Sequence, residues 1–69
     1  MYLHDNYNVL YKSINGEIDI VATCNNIEAA KIATELMNKA ARLNWKRKYT
    51  ASARLFHKAE QASGFVYAN

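Results

Sequence analysis

The sequence has little of what small proteins use for cross-linking, metal binding or catalysis. Its 69 residues include no proline, two glycines, two histidines and one cysteine. A single cysteine cannot close an intrachain disulfide, and no Cys/His cluster has the spacing of a zinc site. The two histidines stand in no motif with a serine, a cysteine or a carboxylate, and two glycines do not make a phosphate-binding loop. We therefore expect no metal ion, no cofactor and no catalytic residues.

Long apolar runs are also missing. No segment approaches the roughly 20 apolar residues that a membrane-spanning helix requires. The first six residues lack the basic and apolar regions of a signal peptide. A lone thiol fits a reducing compartment. These features predict a cytoplasmic protein that does not contact a membrane.

The composition is that of a folded domain: 51% of the residues are hydrophobic and 22% are charged. We expect one small domain over residues 1–69. A chain of this size buries only about 60% of the surface that its unfolded form exposes. Small domains therefore often gain stability from cross-links, metals or self-association. Because no cross-link or metal is expected here, a homodimer is a real alternative to a monomer.

Charge is distributed unevenly along the chain. Residues 1–35 carry two lysines against five acidic residues, a balance of −3, whereas residues 36–69 carry seven basic residues against one glutamate, a balance of +6. A one-sided positive half favours an anionic partner. It is also compatible with attraction to the acidic half of a second copy.

The segment from Tyr7 to Cys24 alternates in the manner of a β-hairpin. Asn15-Gly16 suits a two-residue type I′ turn. Folding about it pairs Ser13 with Ile18, Tyr11 with Ile20 and Val9 with Ala22. This register predicts that the face carrying Tyr7, Val9, Tyr11, Ile18, Ile20, Ala22 and Cys24 is buried. On the opposite face it places Lys12 against Asp19.

An amphipathic helix is predicted next, capped by Asn25 and extending to about Leu43. Its apolar half carries Ala29, Ala30, Ile32, Ala33, Leu36, Met37, Ala40, Ala41 and Leu43. The predicted fold class is α+β, with the N-terminal hairpin packed on this long helix.

Residues 45–63 allow three interpretations. A break near residues 44–49 and a second helix from Thr50 to Ser63 is favoured by the many alanines. One unbroken helix from Asn26 to Ser63 would place Arg47 and Lys48 on the core stripe, which is costly. The alternation of residues 49–55 also permits a strand, and with the final residues that gives a ββαββ sheet. The terminal Phe65–Tyr67 segment is expected to be a short strand or a tail.

The candidate binding residues cluster in the second half of the chain. They are Arg42, Trp45, Lys46, Arg47, Lys48, Tyr49, Arg54 and Lys58. Cations that neutralise phosphates beside rings that stack on bases are typical of single-stranded nucleic-acid binding. The same residue types are frequent at protein interfaces. The competing interpretation places Trp45 and Phe56 in the core and leaves the cations solvated.

The leading hypothesis is a small non-enzymatic module that docks on a protein or nucleoprotein complex and modulates it. Accessory proteins of phages and mobile elements are often of this size. Direct nucleic-acid binding through residues 42–58 is the first alternative, and a self-assembling structural subunit is the second. A helix-turn-helix, with Thr50, Ser52, Arg54, His57 and Lys58 facing a groove, is less favoured because the connection lacks the usual short glycine turn.

Overall fold

A computed structural model describes residues 1–68 and confirms the α+β class. Three strands precede two helices, and a short strand follows them. The elements are β1 (Tyr2–Asp5), β2 (Asn8–Lys12), β3 (Ile18–Thr23), α1 (Ile27–Trp45), α2 (Tyr49–Glu60) and β4 (Val66–Tyr67). The strands form one antiparallel sheet in the order β1-β2-β3-β4. The helices cover one face of it.

Strand β1 is the element that the sequence did not predict. Its four residues pair with β2, with Tyr2 opposite Tyr11 and Asp5 opposite Asn8. The two residues between the strands leave little room to turn, and Asn6 takes a left-handed φ of 53°. Asparagine tolerates this region better than most residues do. A second hairpin therefore precedes the predicted one.

The predicted type I′ turn is wrong. That turn needs a positive φ at both central residues, whereas only Gly16 has one, at 86°. The Ser13 N–H donates to the Glu17 carbonyl (2.8 Å), and the Gly16 N–H donates to the Ser13 carbonyl (3.0 Å). This is a three-residue loop whose glycine forms a bulge. Gly16 takes the left-handed conformation, and Asn15 does not need a positive φ.

A second irregularity changes which face of β3 is buried. Val9 lies opposite Ala22, as predicted, but the register shifts between Val9 and Leu10, so that Leu10 faces Ile20 and Tyr11 faces Asp19. A slip of one residue moves side chains to the opposite face. Ile18 and Ile20, predicted to be buried, are therefore 54% and 55% exposed.

Two further predictions fail with this register. Lys12 lies opposite Ile18 and not opposite Asp19. The side chains of Tyr7 and Tyr11 were expected in the core, but both are exposed. Only the Val9, Ala22 and Cys24 end of the predicted inner face is buried. These three residues pack in one cluster with alanines of both helices.

The predicted break between the two helices is confirmed, with different caps. Asn26, one residue later than predicted, caps α1 by accepting a hydrogen bond from the Ala29 N–H (2.8 Å). Helix α2 begins at Tyr49, without a side-chain cap, so Thr50 does not serve as one. The buried Ser52 hydroxyl donates to the Ala40 carbonyl (2.7 Å) and ties α2 to α1.

Helix α1 also protects the edge of the sheet. The Tyr2 N–H donates to Asn38 Oδ1 (2.8 Å), and Asn38 Nδ2 donates to the Tyr2 carbonyl (2.9 Å). The Asn38 carboxamide thus satisfies both outward backbone groups of Tyr2. Strand edges left open invite pairing with other chains. Here one side chain of α1 closes part of that edge and fixes the helix against the sheet.

The core consists mainly of small side chains. Val9 is the largest side chain that is fully buried in the described structure, and it clusters with Ala22, Cys24, Met37 and four alanines of the two helices. Tyr2, Val21, Leu36, Phe56, Ala62 and Phe65 pack on this cluster while partly exposed. Ile32, predicted for the core, is 45% exposed. Within residues 1–68, no helix combines the length and apolar character needed to cross a membrane.

The contact between α2 and β4 predicts a pH dependence of stability. The Tyr67 hydroxyl donates a hydrogen bond to the Glu60 carboxylate. Partial burial and this carboxylate raise the pKa of Tyr67 from 10.0 to about 12. The folded state therefore holds this proton more tightly than the unfolded chain, so the stabilisation is present below pH 10 and is lost as the pH rises towards 12.

Urea denaturation across this pH range measures the loss. We expect the midpoint of wild-type protein to fall between pH 10 and 12, and that of Tyr67→Phe to fall less steeply. Equal slopes for the two proteins would contradict the assignment.

Candidate functional site

The candidate site lies where α1 meets α2. Arg42 and Trp45 belong to the last turn of α1, the three residues Lys46, Arg47 and Lys48 form the connection, and Tyr49 opens α2. We call Arg42 together with residues 45–49 the α1–α2 corner. Every side chain of this corner is exposed. The break between the helices therefore brings together six of the eight residues that the sequence singled out.

A hydrogen-bonded cap shapes the corner. The Lys48 N–H donates to the Leu43 carbonyl (2.8 Å), and the Arg47 N–H donates to the Asn44 carbonyl (2.9 Å). This is the Schellman arrangement that ends many helices, and its left-handed position is usually glycine. Here Arg47 occupies it with a φ of 63°. An arginine thus stands where glycine would fit with less strain.

The strain at Arg47 gives a testable result. Left-handed φ values cost a residue with a Cβ about 1 kcal/mol relative to glycine. We expect Arg47→Gly to raise the free energy of unfolding by about this amount, measured by urea denaturation. Arg47→Lys, which keeps both the charge and the strain, is the matched control and should leave stability unchanged. A loss of stability in Arg47→Gly would mean that the arginine side chain stabilises the fold.

The aromatic residues of the corner do not belong to the core. Trp45 is 89% exposed and Tyr49 is 62% exposed. The alternative that places Trp45 in the core is therefore wrong. The same interpretation is partly correct for Phe56, which packs against the core while partly exposed. Its ring meets the Tyr2 ring edge-on, with 6.4 Å between the centroids.

An open groove of about 820 Å³ runs from the corner across the sheet. Five aromatic side chains line it: Tyr2, Tyr11, Trp45, Tyr49 and Phe56. Its polar lining comes from Asp19, Asn44 and Arg47. The rings of Tyr2 and Tyr11 lie edge to face with 5.0 Å between their centroids. We call this feature the aromatic groove.

The candidate binding residues predicted from the sequence do not include Tyr2 or Tyr11. Tyr2 belongs to the unpredicted strand, and Tyr11 was assigned to the core. Tyr11 shares the helix-facing side of the sheet with Val9, and the bulge in β3 places Asp19 opposite Tyr11 on that side. The abundance of tyrosine, five in the chain, was the one signal that could have pointed to them.

The cations of the corner have no carboxylate partner in the described structure. Over residues 1–68 a single contact within 4.0 Å joins a basic and an acidic side chain, and it is the one between His57 Nδ1 and Glu60 Oε1 at 3.8 Å on α2. Arg42, Lys46 and Lys48 therefore have no carboxylate within 4.0 Å. Their charge is exposed to solvent and available to an anionic ligand.

Arg54 and Lys58 lie further along α2. Arg54, with Tyr49, Thr50, Ala53 and His57, lines a second open hollow of about 520 Å³, whereas Lys58 lines neither cavity. The helix-turn-helix interpretation is wrong at Ser52. That side chain is buried against α1 and cannot face a DNA groove.

Cys24, the single thiol, is buried, and burial raises its pKa. A raised pKa lowers the thiolate fraction and with it the reactivity of the thiol. Among the residues that the structure describes, no group of three or more His, Cys, Asp or Glu side chains is placed to hold a metal ion.

The chain was compared with protein-family models, with curated proteins and with solved structures, and no match was found in any of the three.

Proposed function

We propose that the chain is a non-enzymatic binding module that docks on a nucleoprotein complex and modulates it, with the α1–α2 corner against single-stranded nucleic acid. The observation that supports this most directly is Trp45, 89% exposed between cations that have no carboxylate partner. Large rings are normally turned inward in a small domain, because burying them contributes strongly to stability. A ring left in water beside unpaired cations is suited to a ligand.

Single-stranded nucleic acid suits both the exposed rings and the unpaired cations of the corner. Its phosphates require cations, and its unpaired bases stack on aromatic side chains irrespective of sequence. Trp45 and Tyr49 offer exposed rings, and the aromatic groove continues from them towards Tyr2 and Tyr11. A strand can therefore follow the groove while its phosphates lie along the connection between the helices.

A protein surface is the second candidate partner. The groove supports it, because Tyr, Trp and Arg are the residues that most often dominate interface energies. Asp19 lines the groove and offers a carboxylate to a basic side chain. A protein partner would respond weakly to salt unless its surface is acidic.

The test is a titration followed by Trp45 fluorescence. Trp45 is the only tryptophan, so its emission reports on the corner alone. Mixed-sequence single-stranded oligonucleotides should quench it. If the four cations of the corner each contact a phosphate, raising the salt from about 50 to about 200 mM should weaken binding about 50-fold.

Duplex of the same sequence is the comparison ligand and should quench less, because its bases are already stacked. Fluorescence that does not change with any oligonucleotide at low salt would reject the nucleic-acid contact. Binding that is equal at both salt concentrations would also count against it.

Removing the ring gives a second readout. Stacking of a base on an aromatic side chain contributes about 1–3 kcal/mol. We expect Trp45→Ala to lower the affinity for a labelled oligonucleotide, measured by fluorescence anisotropy, by about 5- to 150-fold. The salt dependence should stay the same, since no charge is lost. Trp45→Phe retains a ring and should recover part of the affinity.

A further inference from the structure

The sheet has a second face, which the helices do not cover. On it Leu3 lies opposite Leu10, and Leu10 lies opposite Ile20, so that one apolar row crosses three strands. Ile18 lies beside this row on β3. We call this surface the outer sheet face. The bulge in β3 creates it, because it turns Ile18 and Ile20 away from the helices.

The distribution of large aliphatic residues also indicates a missing partner. None of the five isoleucines or five leucines of the chain is buried. The isoleucines are all at least 45% exposed. Isoleucine and leucine are normally among the most buried residue types. The folded chain therefore buries mainly alanines, keeps its leucines only partly buried and leaves its isoleucines largely in solvent.

The charges on the outer sheet face identify a second copy as the occupant. Strand alternation places one carboxylate, Asp5, and one cation, Lys12, on this face, on opposite sides of the apolar row. A two-fold axis parallel to the row turns the strands end for end. It lays the row of one copy on the row of the other and brings each Lys12 to the side of the row on which its neighbour carries Asp5. The face is thus self-complementary in charge and in apolar character.

We infer that the outer sheet face docks on a second copy of this chain and forms a two-fold dimer. Two sheets packed face to face lie about 10 Å apart with their inner side chains interdigitated. An isologous contact of this kind uses the same patch twice and closes on itself. Since the α1–α2 corner lies on the opposite side of the sheet, it remains free in each copy. The inferred dimer therefore does not depend on whether the corner binds nucleic acid.

Sedimentation equilibrium tests the dimer. Over a range from about 1 to about 100 µM we expect wild-type protein to move from monomer towards dimer. Ile20→Glu places two carboxylates at the centre of the contact and should weaken association at least about 30-fold, as loss of a central interface residue does. Because Ile20 is 55% exposed in the single chain, we expect the variant to keep its fold, and circular dichroism checks this.

Two controls locate the contact. Ile32→Glu makes the same change at a residue of α1 that is 45% exposed and should leave association unchanged. Lys12→Glu alone should weaken the dimer, and the charge swap Asp5→Lys with Lys12→Glu should restore it. A wild-type chain that stays monomeric at about 100 µM overturns the inference. So does a dimer that resists Ile20→Glu, or one in which the charge swap fails to rescue Lys12→Glu.

Discussion

Replacing Lys46 and Lys48 by glutamine should weaken single-stranded nucleic-acid binding about 60-fold at about 50 mM salt and about 10-fold at about 200 mM. The reason is the release of counterions. Each phosphate contact on a single strand contributes a slope of about −0.7 in log affinity against log salt, which is a factor of about eight per contact at the lower concentration. Both lysines are exposed in the connection between the helices, without a carboxylate partner.

The matched control is Lys31→Gln with Lys39→Gln. It removes the same two charges from exposed positions of α1 outside the corner. Both double variants lose two positive charges, so an effect of net charge alone lowers the affinity equally in both. A larger loss of affinity in the corner variant therefore reports the loss of local phosphate contacts. Anisotropy of a labelled oligonucleotide, recorded at both salt concentrations, gives affinity and slope together.

The slope decides the interpretation. We expect it to fall by about 1.4 in the corner variant, two contacts at about 0.7 each, and to change little in the control. Equal losses in the two variants would mean that the oligonucleotide responds to overall charge, and the α1–α2 corner would then not be its site.

The sequence predicted the parts of the fold that depend on local signals. The 3.6-residue periodicity and the alanine content predicted α1, and the run Arg47-Lys48, too costly to bury on a core stripe, predicted the break after it. The pairing of Val9 with Ala22 was also predicted correctly. Each of these follows from residues close to one another along the chain.

What failed depends on tertiary context. The bulge opposite Val9 and Leu10 has no local signature, because Val21 would fit a regular strand equally well. That one extra residue moved Ile18, Ile20 and Asp19 to the opposite faces of the sheet from those predicted. The exposure of Trp45 could not be predicted from the sequence either. It depends on where α1 ends relative to the sheet.

The largest effect on stability is expected at Gly64, between α2 and β4. Its φ is +71°, and a Cβ added there would lie 2.1 Å from Asn25 Oδ1 and 2.2 Å from Asn25 Cγ. Asn25 is held in place, since its N–H donates to the Ser63 carbonyl (2.9 Å) and its Nδ2 to Ser63 Oγ (3.2 Å). The asparagine side chain therefore cannot move aside without losing a hydrogen bond.

Gly64→Ala should lower the free energy of unfolding by about 2 kcal/mol. Roughly 1 kcal/mol comes from the left-handed φ, and about 1 kcal/mol comes from the hydrogen bond to Ser63 that the exposed Asn25 side chain loses as it moves aside. The total free energy of unfolding of a domain of this size is only about 3–10 kcal/mol, so the loss is a sizeable fraction of it. Urea denaturation followed by circular dichroism measures the loss. Gly16→Ala is the matched control, because Gly16 has a φ of +86° and no atom within 4 Å of an added Cβ.

A double variant separates the two contributions at Gly64. Asn25→Ala removes the three atoms that an added Cβ would meet, so in that background Gly64→Ala should cost only about the 1 kcal/mol of the left-handed φ. The coupling of about 1 kcal/mol between the two substitutions would then come from displacement of the Asn25 side chain. If Gly64→Ala costs the same with and without the Asn25 side chain, the overlap is relieved by backbone movement. Gly64 would then be needed for its conformation alone, as Gly16 is.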